Sequence, residues 1–308
     1  MYRINPKIDF AFKKLFGSEE NKDLLIALIN SIIDPKDKIK EVILKNPYSL
    51  SDYKNDKMSI LDIKAQDEKG VWFNVEMQIG EDLNFDKRSI YYWSKLVLEQ
   101  LNEGMMYKQL NKTISINILD FDIITSSQNF HNKYRILNEE TGSSDDLHEM
   151  FEIHYIELQK FRKEYQEIAN ALDRWVTFLT KANVLDKNNL PQQLAEDKAI
   201  VKALNEVDKL FNEEERQIYE NRMQVQMDFE SKIDSAHEKG LSEGRKEGKE
   251  EGRKEGREEG REEGREEGRE EGRKAEKIEI AKSLLDILDA ETIAKKTGLS
   301  VDEIKKLK

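Results

Sequence analysis

The chain has no cysteine and only four histidines, His131, His148, His154 and His237, among its 308 residues. Disulfides and thiolate metal sites are excluded, and the histidines are scattered without the close spacing of zinc ligands. Any catalytic metal must be held by oxygens. No window reaches the roughly 18 consecutive apolar residues of a membrane-spanning helix. The first 19 residues carry Arg3, Lys7, Asp9, Lys13 and Lys14 instead of the apolar run of a secretory signal. A soluble, cytoplasmic protein without a membrane segment is expected. Positive charge is also short: 51 Lys and Arg face 63 Asp and Glu, a net charge of -12. That sign argues against a nucleic-acid coat protein, whose affinity comes from neutralising phosphates. It leaves room for an enzyme acting on a phosphodiester, which needs acidic residues to hold a cation and only a local basic rim.

Apolar periodicity supplies the elements. Phe10, Phe12, Leu15 and Phe16, then Leu24, Leu25, Leu28, Ile29 and Ile32, recur at helical steps and stop near Asp34 and Pro35. A short strand is expected over 39–44, followed by two strand-like runs, 58–66 and 71–79, separated by Asp67-Glu68-Lys69-Gly70. Tyr91, Trp93, Leu96, Val97 and Leu101 give the next segment a helical period, and TISINILDFDII (113–124) reads as a buried β-branched strand. Another strand pair is expected at 134–137 and 150–158, after which the chain turns helical from Phe161 to about His237.

From Gly240 to Gly272 glycine recurs every four residues (GREEGREEGREE), and Gly240–Arg273 holds 13 glutamates against 10 lysines and arginines. Such a segment is not a basic arm for DNA. It reads as a solvated linker, because each glycine costs a helix about 1 kcal/mol relative to alanine; the other reading is a long helix with Glu–Arg pairs and a glycine edge open to a second copy. Beyond it, Ile278, Ala281, Leu284, Leu285 and Ile287 form an apolar stripe, too small to be buried within the C-terminal stretch alone and so expected to seek a partner. A Gly298 turn and a capping box at Ser300 and Glu303 then open a last short helix, either the end of a helix-turn-helix or a small helical cap.

The chemistry concentrates on the hairpin. A three-residue loop, Glu68-Lys69-Gly70, with Gly70 in the left-handed conformation, sets the register. Asp67 then pairs with Val71, Lys64 faces Asn74, Asp62 faces Glu76 and Ile60 faces Gln78. One face carries Asp62, Lys64, Asn74, Glu76 and Gln78; the other carries Leu61, Ile63, Ala65, Phe73, Val75, Met77 and Ile79 and is wholly apolar. Opposed carboxylates repel unless a cation lies between them, and a divalent ion that also meets a phosphate fits that need. The alternative is a half-exposed hairpin with an ordinary polar outer face.

Four ordered segments, NPKIDFAFKKLFG (5–17), ILDIKAQD (60–67), WFNVEMQI (72–79) and KRSIYYWSKL (87–96), resemble the recombination-promoting nuclease (Rpn) and transposase group of the PD-(D/E)XK superfamily. The resemblance covers about residues 3–125, and the glycine-repeat tail is similar too. It implies that Asp62 and Glu76 bind the metal and that Gln78 stands where the superfamily usually has lysine, a departure the Rpn variant shares. A glutamine carries no charge, so Lys64 on the same face is the proposed substitute. Asp9 resembles a supporting acid, with a helix-surface aspartate as its other reading. Arg88 and Tyr91 match the following motif, with phosphate contact or core packing as competing roles. Lys13 and Lys14 read as ordinary solvated charges.

The resemblance therefore implies an α/β fold with a restriction-endonuclease-like core, a mixed sheet flanked by helices and a helical second half. The expected boundaries are 1–238 for this domain, 239–274 for the glycine repeat and 275–308 for a small helical module. The implied activity is Mg²⁺-dependent (or Mn²⁺-dependent) hydrolysis of DNA phosphodiesters, connected with recombination, in a protein that forms homo-oligomers through its C-terminal region. The rival is a catalytically weak DNA-binding or assembly module.

Overall fold

The computed structural model describes residues 4–48, 63–143 and 149–307. Helices α1 (Asp9–Phe16) and α2 (Lys22–Ile33) open the chain and end where expected, Asp34 closing α2 in the left-handed conformation. Strands β1 (Val42–Leu44), β2 (Ile63–Asp67) and β3 (Trp72–Gln78) follow, then helix α3 (Phe85–Leu98) and strand β4 (Thr113–Leu119). Strands β5 (His131–Arg135) and β6 (Phe151–Glu157) complete a six-stranded sheet of order β1-β2-β3-β4-β6-β5. β1-β2 and β2-β3 are antiparallel, β3-β4 and β4-β6 are parallel, and β5 returns antiparallel on β6. Edge strand β5 lies three residues before the expected segment, since its exposed residues carry no alternation to fix it.

The β2–β3 hairpin has the expected register. Lys64 pairs with Asn74 and Ala65 with Phe73. Gly70 adopts φ 85°, a conformation that favours glycine, and the Asp67 N–H donates to the Val71 carbonyl at 3.0 Å. Ile63, Ala65, Phe73 and Val75 are completely buried, each large side chain contributing about 1.5–3 kcal/mol. They join Phe10, Phe12 and Phe16 of α1, Leu28 of α2, and Trp175 and Phe178 of helix α4 (Ala171–Lys181) in one core.

The opposite face is covered as well. Helix α3 is the crossover between parallel β3 and β4, the connection such a pair requires. It lies on them through Phe85, Ser89 and Leu96, and the Trp93 indole donates to the Thr113 carbonyl at 2.9 Å. A second cluster of Phe85, Leu119, Phe121, Ile153 and Tyr155 fixes its far side. Asn74 and Glu76 are therefore buried, 1% and 4% exposed, while Lys64, Gln66 and Gln78 on the same face stay partly exposed.

Helices α5 (Gln192–Ala195) and α6 (Lys198–Lys209) close the helical second half, and α7 runs unbroken from Glu213 to Leu284. The glycine repeat is thus helical here rather than an irregular linker. Arginine and glutamate, both good helix formers, fill the positions between the glycines. One compact unit spans Met1–Val225 and a second Gln226–Lys308. In the second, helices α8 (Ala290–Thr297) and α9 (Val301–Lys305) meet through a left-handed Gly298, and the Ser300–Glu303 capping box is formed. Ala281 is buried with Ile293, Leu299 and Ile304, while Ile278, Leu284 and Leu285 are partly covered by the same cluster. The apolar stripe therefore finds most of its cover within its own unit, contrary to expectation. Only Ile280 and Ile287 remain exposed among the apolar residues of its outer edge.

Candidate functional site

Glu76 lies near the middle of β3, a buried carboxylate under α3. The cation it meets is Arg88, one turn into that helix. Arg88 Nη2 donates to Glu76 Oε1 at 3.1 Å and to Gln78 Oε1 at 2.8 Å, and Nη1 donates to Asp82 Oδ2 at 2.9 Å. The guanidinium carbon stands 4.6 Å from the centre of the Phe85 ring, whose face favours a cation. A planar guanidinium with several donors can bridge three acceptors at once; a lysine ammonium is a compact point charge without that geometry. Gln78 sits two residues after Glu76 on the same face, and its amide oxygen is oriented by Arg88.

Lys64 shares that face in register, yet its ammonium is drawn to Glu99 near the end of α3, 2.8 Å from both carboxylate oxygens. Among the described residues, Arg88 is the cation hydrogen-bonded to both Glu76 and Gln78. The sequence motif around Arg88 does not reveal this target, because the contact spans residues 80–84 between β3 and α3. Lys7 adds positive charge nearby: its ammonium lies 2.5 Å from Asp120, whose N–H donates to the Gln78 carbonyl.

Asp62 lies outside the described residues. Asp9 stands at the start of α1, where its carboxylate accepts from the Phe10 N–H at 2.6 Å and from Arg222 of α7 at 2.9 Å. Tyr91 is 62% exposed on α3, which rules out core packing for it. Lys13 and Lys14 are not solvated as expected. Lys13 is buried against the core, and Lys14 pairs with Glu215 beneath the rings of Tyr48 and Phe211.

Two further arrangements escaped the sequence. On the Glu76 face, β4 contributes buried Ser115 and Asn117 beside Asn74 and Glu76. The signal was present in the alternation of Thr113, Ser115 and Asn117 with Ile114, Ile116 and Ile118. On the other face, His131 Nε2 and His154 Nδ1 are 2.8 Å apart, and His154 Nε2 is 2.8 Å from Glu152 Oε1. Burial lowers the His131 pKa to about 4, helped by the neighbouring His154 and Lys133. Burial also lowers that of His154, against the pull of Glu152. Burial alone would raise the Glu152 carboxyl, but bonds from His154, Lys112 and Lys133 outweigh it and hold the group well below the usual carboxylate range. At neutral pH this is an ionised glutamate joined to neutral imidazoles.

The donor set around Glu76 suits a hard cation: a carboxylate and a glutamine amide oxygen, without sulfur or imidazole. Among the described residues, no group of three or more His, Cys, Asp or Glu side chains is arranged to hold a metal ion. Among the described residues, a cation at Glu76 would therefore draw its other ligands from neutral oxygens and from water. No helix among the described residues is long and apolar enough to cross a membrane. No curated protein and no solved structure matches the chain. The mixed sheet and the helix–strand order around it agree with what a comparison of families finds. Residues 6–236 match the family described as PD-(D/E)XK nuclease family transposase, and the chain belongs to that family.

Proposed function

We propose that the chain is a divalent-cation-dependent DNA endonuclease whose reaction takes place at the face of β3 bearing Glu76 and Gln78, in the service of recombination or DNA mobility. The observation that carries this reading is the guanidinium of Arg88 held between Glu76 and Gln78. The glutamine occupies the family's lysine position, and a cation from α3 stands against it. Asp62, by its place in the sequence motif, and Glu76 hold the ion. When bound, Mg²⁺ or Mn²⁺ supplies Lewis acidity toward the phosphate and lowers the pKa of a coordinated water. Gln78 aligns water or a phosphate oxygen through hydrogen bonds, having no charge or proton to offer. Arg88 contributes the positive charge, turning its fork from Glu76 toward the scissile phosphate to stabilise developing negative charge.

Nicking of supercoiled plasmid, with Mg²⁺ or Mn²⁺ against EDTA, tests the reading. Wild-type protein nicks only with metal, Asp62→Ala and Glu76→Ala both lose the activity while remaining folded, and Gln78→Ala loses less. Cleavage that survives in both alanine variants of the acids removes them from the mechanism. The rival, a DNA-binding or assembly module without cleavage, draws on Gln78 in the lysine position. It predicts DNA retention in a gel-shift assay with no metal-dependent nicking.

Assembly through the C-terminal region accompanies this reading, and helix α7 supports it. Between Gly252 and Gly272 each glycine is followed by a basic residue and preceded by a glutamate. These neighbours lie about 100° to either side of the glycine edge. Two copies running parallel set the basic flank of one against the acidic flank of the other. An antiparallel pair sets like charges together. The glycine edge advances about 40° per repeat, so a pair following it winds right-handedly. Parallel pairing tethers two nuclease domains in one assembly, as cutting both DNA strands requires.

A further inference from the structure

The face of the sheet under α3 is polar where a strand covered on both sides is ordinarily apolar. All seven residues of β4 are buried, and the parallel register sets Ser115 beside Asn74 and Asn117 beside Glu76. Both polar atoms of the Asn74 amide, the Ser115 hydroxyl and the Asn117 carbonyl oxygen are buried without a hydrogen-bond partner among the described residues. Such groups are rarely left dry in a native interior, and ordered water is their usual partner. The Asn117 amide is also oriented. Its Nδ2 donates to the His154 carbonyl on β6 at 3.2 Å. Only the nitrogen can donate to a carbonyl, so the oxygen is turned away from β6, to the side where β3 carries Glu76.

We propose that Asn74, Ser115 and Asn117 form a buried water-binding strip that extends the catalytic face inward from Glu76. Asn117 is its positioning residue, and its carbonyl holds a water against the Glu76 carboxylate and the hydration shell of the cation there. The proposal rests on the nuclease reading and adds to it residues from a strand outside the sequence motif. It has a stability signature. Polar residues kept for structure stabilise a fold, whereas polar residues kept for a site are tolerated against local packing rules. Asn117→Leu keeps the branched shape of the side chain and removes the unpartnered oxygen, at the loss of one long bond from Nδ2 to the His154 carbonyl.

The test compares the full-length wild type, Asn117→Leu and Asn117→Ser by calorimetric titration with Ca²⁺, thermal unfolding in EDTA and plasmid nicking. Asn117→Leu unfolds at the wild-type temperature or above it, yet binds Ca²⁺ about tenfold more weakly, the lower end of the loss seen when outer partners of a metal site are removed. Its nicking slows in proportion. Asn117→Ser keeps an oxygen and room for a water and recovers most of the affinity. If Asn117→Leu does not fold, Ser115→Ala, which deletes a single oxygen, is measured in its place and weakens Ca²⁺ binding in the same direction. Variants that bind Ca²⁺ like the wild type, whatever their stability, overturn the inference alone. A wild-type chain that binds no Ca²⁺ rejects the nuclease reading, and the inference with it.

Discussion

Replacing Arg88 by methionine keeps an unbranched apolar stem but removes the guanidinium, its charge and its contact with Phe85, so the effect reads what the guanidinium does. In the structure it makes three charge-assisted hydrogen bonds. They are not equal. Asp82 is 30% exposed and its bond is screened by water, so that arm contributes about 0–1 kcal/mol. The Glu76 side chain is 5% exposed, and a buried carboxylate that loses its partner typically costs about 3–5 kcal/mol. Arg88 itself remains 28% exposed, so its site admits water to the carboxylate that loses the guanidinium, and the cost falls to about 2–3 kcal/mol. For a domain of this size that is a fall of about 5–10 °C in unfolding temperature in EDTA. A divalent ion supplies the positive charge that the variant lacks. Ca²⁺ or Mg²⁺ therefore raises the unfolding temperature of Arg88→Met by more than it raises that of the wild type. Plasmid nicking nevertheless falls, because stabilising the phosphate is a separate task. Differential scanning fluorimetry across a metal titration reads the first two quantities. An Arg88→Met protein as stable as the wild type in EDTA, or one that gains no more from metal, refutes the claim that Arg88 is the counter-ion of Glu76.

The same geometry sets the remaining expectations. Lys64→Met disturbs only the pair with Glu99, whose carboxylate is partly exposed, so stability changes by less than about 1 kcal/mol. A large loss of nicking in that variant, with metal affinity intact, returns Lys64 to the role of catalytic cation. Gln78→Lys restores the usual lysine and raises the nicking rate if the position faces the scissile phosphate; an unchanged rate with normal folding places it away from the phosphate. The folded state holds His131 at about 4, below its usual value, chiefly through burial. The unfolded chain therefore binds the proton first, so stability is full above about pH 6.5 and falls as the pH drops toward 4. Between pH 7 and 5 the loss is at most about 2 kcal/mol, and His131→Gln flattens that slope in a pH series of chemical denaturations. Removing residues 240–308 lowers the mass seen by light scattering and favours single-strand nicks over double-strand breaks, whereas an unchanged mass moves any interface to the nuclease unit.

Legibility divides along the range of the interactions. The hairpin register could be read because it is local: a loop ending in Gly70 fixes the pairing, and alternation then decides which side chains are buried. The same local logic gives the capping box at Ser300 and the left-handed Gly298. Edge strand β5 failed because one-sided burial, the source of the alternation signal, is missing there. The glycine repeat was misjudged from propensity summed residue by residue, which omits the cooperative gain from adding each residue to a helix already nucleated.

The site shows the division most sharply. Glu76 and Gln78 are two apart on one strand, and the motif carries them. What surrounds them comes from a helix and a parallel strand that no local pattern pairs with β3: Arg88 from α3, Ser115 and Asn117 from β4. Even so, Thr113, Ser115 and Asn117 alternate with three isoleucines in the sequence itself, within a strand that β-branched composition correctly marks as buried. A strand with both faces covered has no reason to alternate unless one face serves something other than packing. Polar alternation in a crossover-linked parallel strand is therefore a usable sign that its polar side continues a site begun on the neighbouring strand. In this chain it leads from Glu76 to Asn117, where the parallel register sets the two side by side.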